Sequence, residues 1–370
     1  MVTELVRIIE GGIEGNQKKI SNFAMALADS MAAKGDVKSA DRIRSTLSKL
    51  NKTRATLDGF TGLPVDSESR MDIAEITYPE LKRDDYVFSP CLEEAVENFI
   101  RTYKNSDLLL QSGIDLSHTL LLYGPPGCGK TSIANIIASQ LNMPLVTAKL
   151  DGMVSSLLGS TAKNIRKLFE YASEQKCILF LDEFDVVAKL RDDNNELGEL
   201  KRVVNSLLQN IDEFSCDNIL IAATNHQNML DPAVWRRFAN TYEVGLPNEE
   251  EVARLLHGMT YRIPVESLQS AKHEARIIQT LIGQKFSHSA IATIYKAAVK
   301  NAILKGLNSV SHCSLLREIY LYSQHRIENE DGYIRFMLAN GVTHVQLHEE
   351  TGISLRSIRN VSSMMNNKEV

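Results

Sequence analysis

The sequence predicts an α/β fold built on a parallel sheet with helices on both faces, and three observations carry that prediction. Short apolar runs at residues 120–123, 144–148, 177–181, 219–223 and 241–244 alternate with segments whose apolar residues recur every three or four positions. Apolar runs of that length suit strands buried on both sides, and the intervening amphipathic helices would cover them. The first run leads directly into Gly124-Pro125-Pro126-Gly127-Cys128-Gly129-Lys130-Thr131-Ser132, after which Ile133, Ala134, Ile136 and Ile137 continue with helical spacing. The third run ends in Asp182-Glu183-Phe184-Asp185, which places acids at the sheet edge where ligands of such folds bind.

Taken in order, residues 1–57 read as a small helical domain. Its apolar positions include Leu5, Ile8 and Ile9, then Phe23, Leu27 and Met31, then Ile43, Leu47 and Leu50, with breaks at Gly11-Gly12, Gly15 and Gly35. Such a domain serves either as a folding cap or oligomer contact, or as an adaptor for a substrate. Residues 58–90 carry Gly59, Gly62, Pro64, Pro79 and Pro90 among charged residues and read as a linker with little regular structure. A helix with Leu92, Val96, Phe99 and Ile100 on one face opens the main α/β unit, 91–247. Helical segments fill 248–310, and a further helical tail occupies 311–370.

Composition limits the function classes. A 370-residue chain with 44% hydrophobic and 24% charged residues can bury a real core, and a net charge of −5 gives no global attraction to nucleic acid or anionic membrane. The five cysteines, 91, 128, 177, 216 and 313, show no C-x-x-C spacing, so neither a zinc site nor a disulfide framework is expected. No uncharged stretch of membrane length occurs, and a cytosolic protein without membrane contact is the expectation.

The chemistry concentrates in two motifs. Gly124 to Thr131 fits G-x-x-x-x-G-K-[ST] between a strand and a helix: glycines let successive N–H groups turn inward, and the helix start adds positive charge, so the loop can wrap a polyphosphate. Lys130 is expected to reach the β- and γ-phosphates, Thr131 to take a Mg²⁺ position, and Cys128 to fill a variable slot. Asp182 is expected to hold the Mg²⁺ shell directly or through water, and Glu183 to orient and deprotonate the water that attacks the γ-phosphate of ATP. Asn225, after the next strand, puts an amide at the same edge, within reach of that water or the γ-phosphate.

Over residues 85–307 the chain resembles the AAA ATPases of the AAA+ group of P-loop NTPases. Gly124 to Thr131 is similar to the family's Walker A, 178–185 to its Walker B, and 222–225 to its sensor-one segment. Leu230-Asp231-Pro232-Ala233-Val234-Trp235-Arg236-Arg237-Phe238 resembles its arginine-finger segment, in the R-R-F form seen in katanin- and spastin-like members. The resemblance implies that Arg236 and Arg237 act on a neighbouring subunit's nucleotide in a homo-oligomeric ring, usually a hexamer. It implies that 248–310 is a helical lid, that Val87 and Phe88 line the adenine pocket, and that His257 stands near a nucleotide-contacting histidine.

Two features depart from the family. The pore-loop tip, normally aromatic–aliphatic–Gly, reads Leu157-Leu158-Gly159, and His288-Ser289 replaces a small Gly-Ala pair beside the nucleotide. The tail at 341–363 resembles a DNA-binding helix-turn-helix, with Thr343 as N-cap, Gly352 at the turn, and Arg356, Ser357, Arg359 and Asn360 on the second helix; His348 stands where a small residue is usual. The implied function is Mg-ATP hydrolysis that remodels, unfolds or disassembles a protein partner, like bacterial stand-alone AAA proteins working beside a protease or in phage defence. The competing reading is a nucleotide-gated regulator of DNA binding or of an effector.

Overall fold

The computed structural model describes residues 24, 27–28, 31–32, 38–46, 73–80, 86–150, 158–174, 177–185, 197–214, 218–259, 261 and 263–366. It divides into two compact units, Met1–Leu63 and Pro64–Val370. In the first, residues 38–46 are helical and Leu27, Ala28 and Ala40 are buried; the glycine breaks expected there lie outside the described residues.

The second unit is organised on a six-stranded sheet, β1 (Glu75–Thr77), β2 (Thr119–Tyr123), β3 (Leu145–Lys149), β4 (Ile178–Asp182), β5 (Ile219–Thr224) and β6 (Asn240–Glu243), in the order β1-β3-β4-β5-β2-β6. All pairings are parallel except β1 with β3, where Glu75 faces Thr147 and Thr77 faces Leu145. The stretch expected to be a plain linker thus supplies an antiparallel edge strand. Three half-exposed residues gain a ladder there, a signal too short and too polar to show as periodicity.

Strands β2, β4 and β5 are fully buried at almost every position, which demands an apolar layer on each side. On one side Leu120, Leu122, Ile178, Phe180, Ile219 and Ile221 share a core with α1 (Pro90–Lys104) and α3 (Lys130–Leu141). Helix α1 is started by Ser89, whose hydroxyl accepts from Leu92 N–H, with proline at the first helical position; the short α2 (Ser106–Gln111) follows it. The alternate strand residues face the other way, and α4 (Leu158–Glu174) and α5 (Leu197–Glu213), packed on each other, bring Leu168, Phe169, Val203 and Leu207 as the second layer.

After the single-turn α6 (Pro232–Trp235) and β6, the chain is helical: α7 (Glu249–Gly258), α8 (Ala271–Gly283), α9 (His288–Leu304), α10 (His312–Gln324), α11 (Glu330–Ala339), α12 (His344–Thr351) and α13 (Leu355–Asn366). One apolar cluster runs from Val252 and Leu256 through Ile291 and Leu316 to Leu347, Ile358 and Val361. The lid segment and the tail therefore share a core across residue 310. Thr343 caps α12 reciprocally with Gln346, and Gly352, at φ 75°, makes the turn into α13. His348 is accommodated because its ring lies at the exposed side and Nδ1 meets the Ile353 carbonyl at 2.7 Å. Among the described residues no helix is long and apolar enough to cross a membrane.

Candidate nucleotide site

Parallel register gathers the motifs. Tyr123 of β2 lies opposite Thr224 of β5, and Leu181 of β4 opposite Ala222. Gly124, Asp182, Glu183 and Asn225 therefore emerge along one edge, at the carboxyl ends of three adjacent strands.

In the loop, Gly127 and Gly129 have φ of 74° and 106°, a region that only glycine enters freely. Space forbids a side chain as well: a Cβ on Gly127 would lie 2.6 Å from Ser287 Oγ, and one on Gly129 2.8 Å from the Phe88 ring. Lys130 is buried, and its Nζ donates to the carbonyls of Gly124 at 2.7 Å and Pro125 at 2.8 Å. Desolvation draws its pKa below the ordinary lysine value, opposed by the nearby Cys128, Asp182 and Asp185. The Cys128 thiol is buried and burial pushes its pKa up, so it is inert filling and no nucleophile.

Thr131 Oγ1 stands 3.5 Å from Asp182 Oδ2, while Asp182 Oδ1 accepts from Glu183 N–H at 2.9 Å. Two hard oxygen donors at that separation fit Mg²⁺, which keeps several waters and takes further ligands from phosphate. Glu183 is exposed and adopts φ 55°, a left-handed backbone that costs a non-glycine residue roughly 1–2 kcal/mol. The neighbouring turn is pinned: Phe184 N–H donates to Ala223 O at 2.8 Å, and its buried ring meets Phe238 edge-on. Asn225 is half-buried at the same edge, after Thr224, whose hydroxyl accepts from His226 N–H.

The two arginines after α6 differ. Arg237 is held within its own chain, Nε on the Asp212 carboxylate at 3.0 Å and Nη1 on the Ala233 carbonyl at 2.7 Å. Arg236 is exposed, and its guanidinium has no ion pair or hydrogen bond among the described residues.

Residues 120–246 match the family model described as "ATPase family associated with various cellular activities (AAA)". An uncharacterised AAA family ATPase of Sinorhizobium fredii is 35% identical over 292 residues, 79% of this chain and 86% of that protein. The chain belongs to the AAA ATPase family. More distant relatives of this AAA ATPase include proteasome-activating nucleotidase 1 of Haloferax volcanii, 38% identical over 43% of this chain and 41% of that one. A putative ribosome biogenesis ATPase of Dictyostelium discoideum is 29% identical over 68% of this chain, which spans 30% of its length. The family makes the protein an ATP-binding, ATP-hydrolysing enzyme.

The remaining expected residues of this ATPase divide. Val87 is half-buried and Phe88 buried beside Gly129. Ser289 also meets the loop, donating its N–H to Gly127 O at 3.0 Å. His257, on the same helix as the loop's neighbour Arg254, has Nε2 on Glu274 Oε1 at 2.7 Å. Leu157 is outside the described residues, and Leu158 and Gly159 are placed only as the first turn of α4. One neighbour of the site escaped sequence reasoning. Arg254 joins α7 to the other side of the loop, with Nη1 on the Phe88 carbonyl at 3.3 Å and Nη2 on Glu93 at 3.1 Å, across 161 residues that hide the pairing.

Proposed function

We propose that this ATPase works as a homo-oligomeric ring, a hexamer by family analogy, that couples Mg-ATP hydrolysis to remodelling a protein partner. Lys130 leaves the two loop carbonyls to meet the β- and γ-phosphates, and the loop N–H groups from Gly127 to Ser132 bind the remaining oxygens. Thr131 and Asp182 would hold Mg²⁺, which would supply positive charge against the phosphates. Glu183 takes a proton from water as the water oxygen bonds to the γ-phosphorus, and the bond to the bridging oxygen breaks with its electron pair leaving on ADP. Asn225 orients that water. Arg236 reaches the nucleotide of a neighbouring subunit and stabilises transition-state charge, while Arg237 braces the segment that presents it.

The observation that carries this reading is the meeting of Lys130, Thr131, Asp182 and a strained Glu183 on one sheet edge. The relatives named for proteasome activation support a protein substrate; the bundle of 248–370 acts as the lid, the helices of 1–57 as adaptor, and 58–90 in part as tether. Polypeptide is gripped at Leu157, Leu158 and Gly159, and the ring works in the cytosol, a protease being one candidate effector. The test is to trap the ring as Glu183→Gln and ask what copurifies: a stoichiometric protein lost on Lys130→Ala supports remodelling. Nuclease-sensitive nucleic acid alone would favour the DNA-regulator reading, which the exposed Arg356, Arg359 and Asn360 on α13 support and the exposed Glu349 and Glu350 oppose.

A further inference from the structure

Beside the phosphate loop stands a half-buried histidine whose ring nitrogens are unanswered among the described residues. His288 opens α9, immediately after the N-cap Ser287, whose hydroxyl accepts from Ala290 N–H. Both ring nitrogens are shielded from solvent, and neither has a hydrogen-bond partner among the described residues. A neutral imidazole offers one donor and one acceptor, and leaving both unanswered in a protein interior is costly. Such a group calls for a partner from outside the protein chain, an ordered water, an ion or a ligand.

The surroundings say what kind of molecule that is. The next residue, Ser289, donates its backbone N–H to Gly127 O, and Ser287 Oγ fills the space where a Gly127 side chain would stand, so α9 starts directly against the phosphate loop. The His288 ring lies 6.3 Å from that of Phe88, tilted by 50°, and Phe88 is stacked with Tyr86 at 6.3 Å and touches Gly129. Arg254, from α7, holds the Phe88 carbonyl. Aromatic faces and one two-sided polar ring thus flank a loop built for phosphates, the composition expected where a nucleotide's base leaves its phosphates.

We propose that His288 hydrogen-bonds the purine base of the bound nucleotide, and that this bond ties the helical bundle to the base. The proposal rests on the phosphate-loop reading above and deepens it. Its chemistry is neutral: burial lowers the His288 pKa, so the ring presents one N–H and one lone pair, matching the mixed donor and acceptor edge of adenine. A base-free phosphate chain would satisfy Lys130 and the loop amides yet leave His288 unanswered.

The experiment compares ATP with inorganic tripolyphosphate in the full-length protein, by calorimetry and thermal shift, for wild type, His288→Phe and Lys130→Ala. His288→Phe keeps the ring area and removes both polar atoms; His288→Ala serves if the larger ring does not pack. The expected result is an ATP Kd raised about tenfold, the loss of one good hydrogen bond, with tripolyphosphate affinity unchanged and the ligand-free midpoint not lowered by His288→Phe. Unchanged ATP affinity in both variants, or equal weakening of ATP and tripolyphosphate, overturns the proposal. Failure of the phosphate-loop reading looks different: wild type would then bind neither ligand, or Lys130→Ala would leave both affinities intact.

Discussion

Helices α9 and α10 begin alike, with a serine cap followed at once by a partly or wholly buried histidine, yet the two histidines are treated in opposite ways. His312 is bonded at both nitrogens: Nε2 donates to the Asn340 carbonyl at 3.0 Å, which requires Nδ1 to accept from the Ser267 hydroxyl at 2.9 Å. His288 is bonded at neither. Local sequence cannot account for the difference, since the caps are the same. Position can: α10 starts inside the helical bundle, whereas α9 starts against the phosphate loop. Unanswered polarity beside the phosphate loop marks where a ligand would complete the structure; among the described residues in the rest of the bundle, the Tyr333 hydroxyl is the buried side-chain polar group left without a partner.

If that division is right, substitutions at the sheet edge should cost activity with little stability, and those in the bundle the reverse. The largest expected effects are at Glu183 and Arg236. Glu183→Gln should lower ATP turnover by about 10²–10⁴-fold while ATP still binds, and Arg236→Ala by about 10³-fold or more, each with an unchanged melting midpoint. Mixing the two inactive variants sharpens this: an interface pairing Glu183 of one subunit with Arg236 of the next is intact, so mixed rings should recover part of the turnover. No recovery in assembled mixtures would argue that Arg236 does not act between subunits.

Next in size is the shared core of lid and tail. Ile358→Ala removes a fully buried side chain from the cluster that also holds Val252 and Ile291, and should cost about 2–5 kcal/mol in denaturant unfolding. If α12 and α13 were an independent module, the rest of the bundle would melt unaltered. Arg237→Ala comes third: its bond to Asp212 is partly exposed and screened, so a loss of about 1 kcal/mol or less is expected, with turnover falling far less than for Arg236→Ala. Equal losses of turnover at both arginines would erase the distinction drawn between them.

Much of this was legible in the sequence. Glycines with lysine and threonine between a strand and a helix, and an apolar run closed by acids, are local patterns, and parallel register then brings them to one edge. The helix cap at Thr343 and the turn at Gly352 were equally local. What stayed hidden is set by distant pairing. β1 is three residues recruited by β3, and Arg254 meets Glu93 only after the whole sheet has formed. The Glu274 partner of His257, one helix away, was likewise invisible locally.

The smallest predicted effect tests the bundle side of the comparison through pH. His312 is held below the ordinary histidine pKa, chiefly by burial, with the stacked His273 at 4.2 Å and Arg276 adding to the effect; its bond to Asn340 and the charge of Glu266 oppose it. The folded protein therefore resists a proton that the unfolded chain accepts near pH 6.5. Below that pH the unfolded state binds more protons, so stability is flat above about 6.5 and falls on acidification, by no more than about 1.4 kcal/mol per pH unit for this group. His288 shifts in the same direction, also by burial. Denaturant titrations at several pH values should show His312→Phe and His288→Phe each reducing the acid-side slope, while only His312→Phe lowers stability at pH 8, because it alone strands Ser267 and the Asn340 carbonyl, a loss of about 1–3 kcal/mol. A loss at pH 8 in both variants would mean that the two helix starts are built the same way after all.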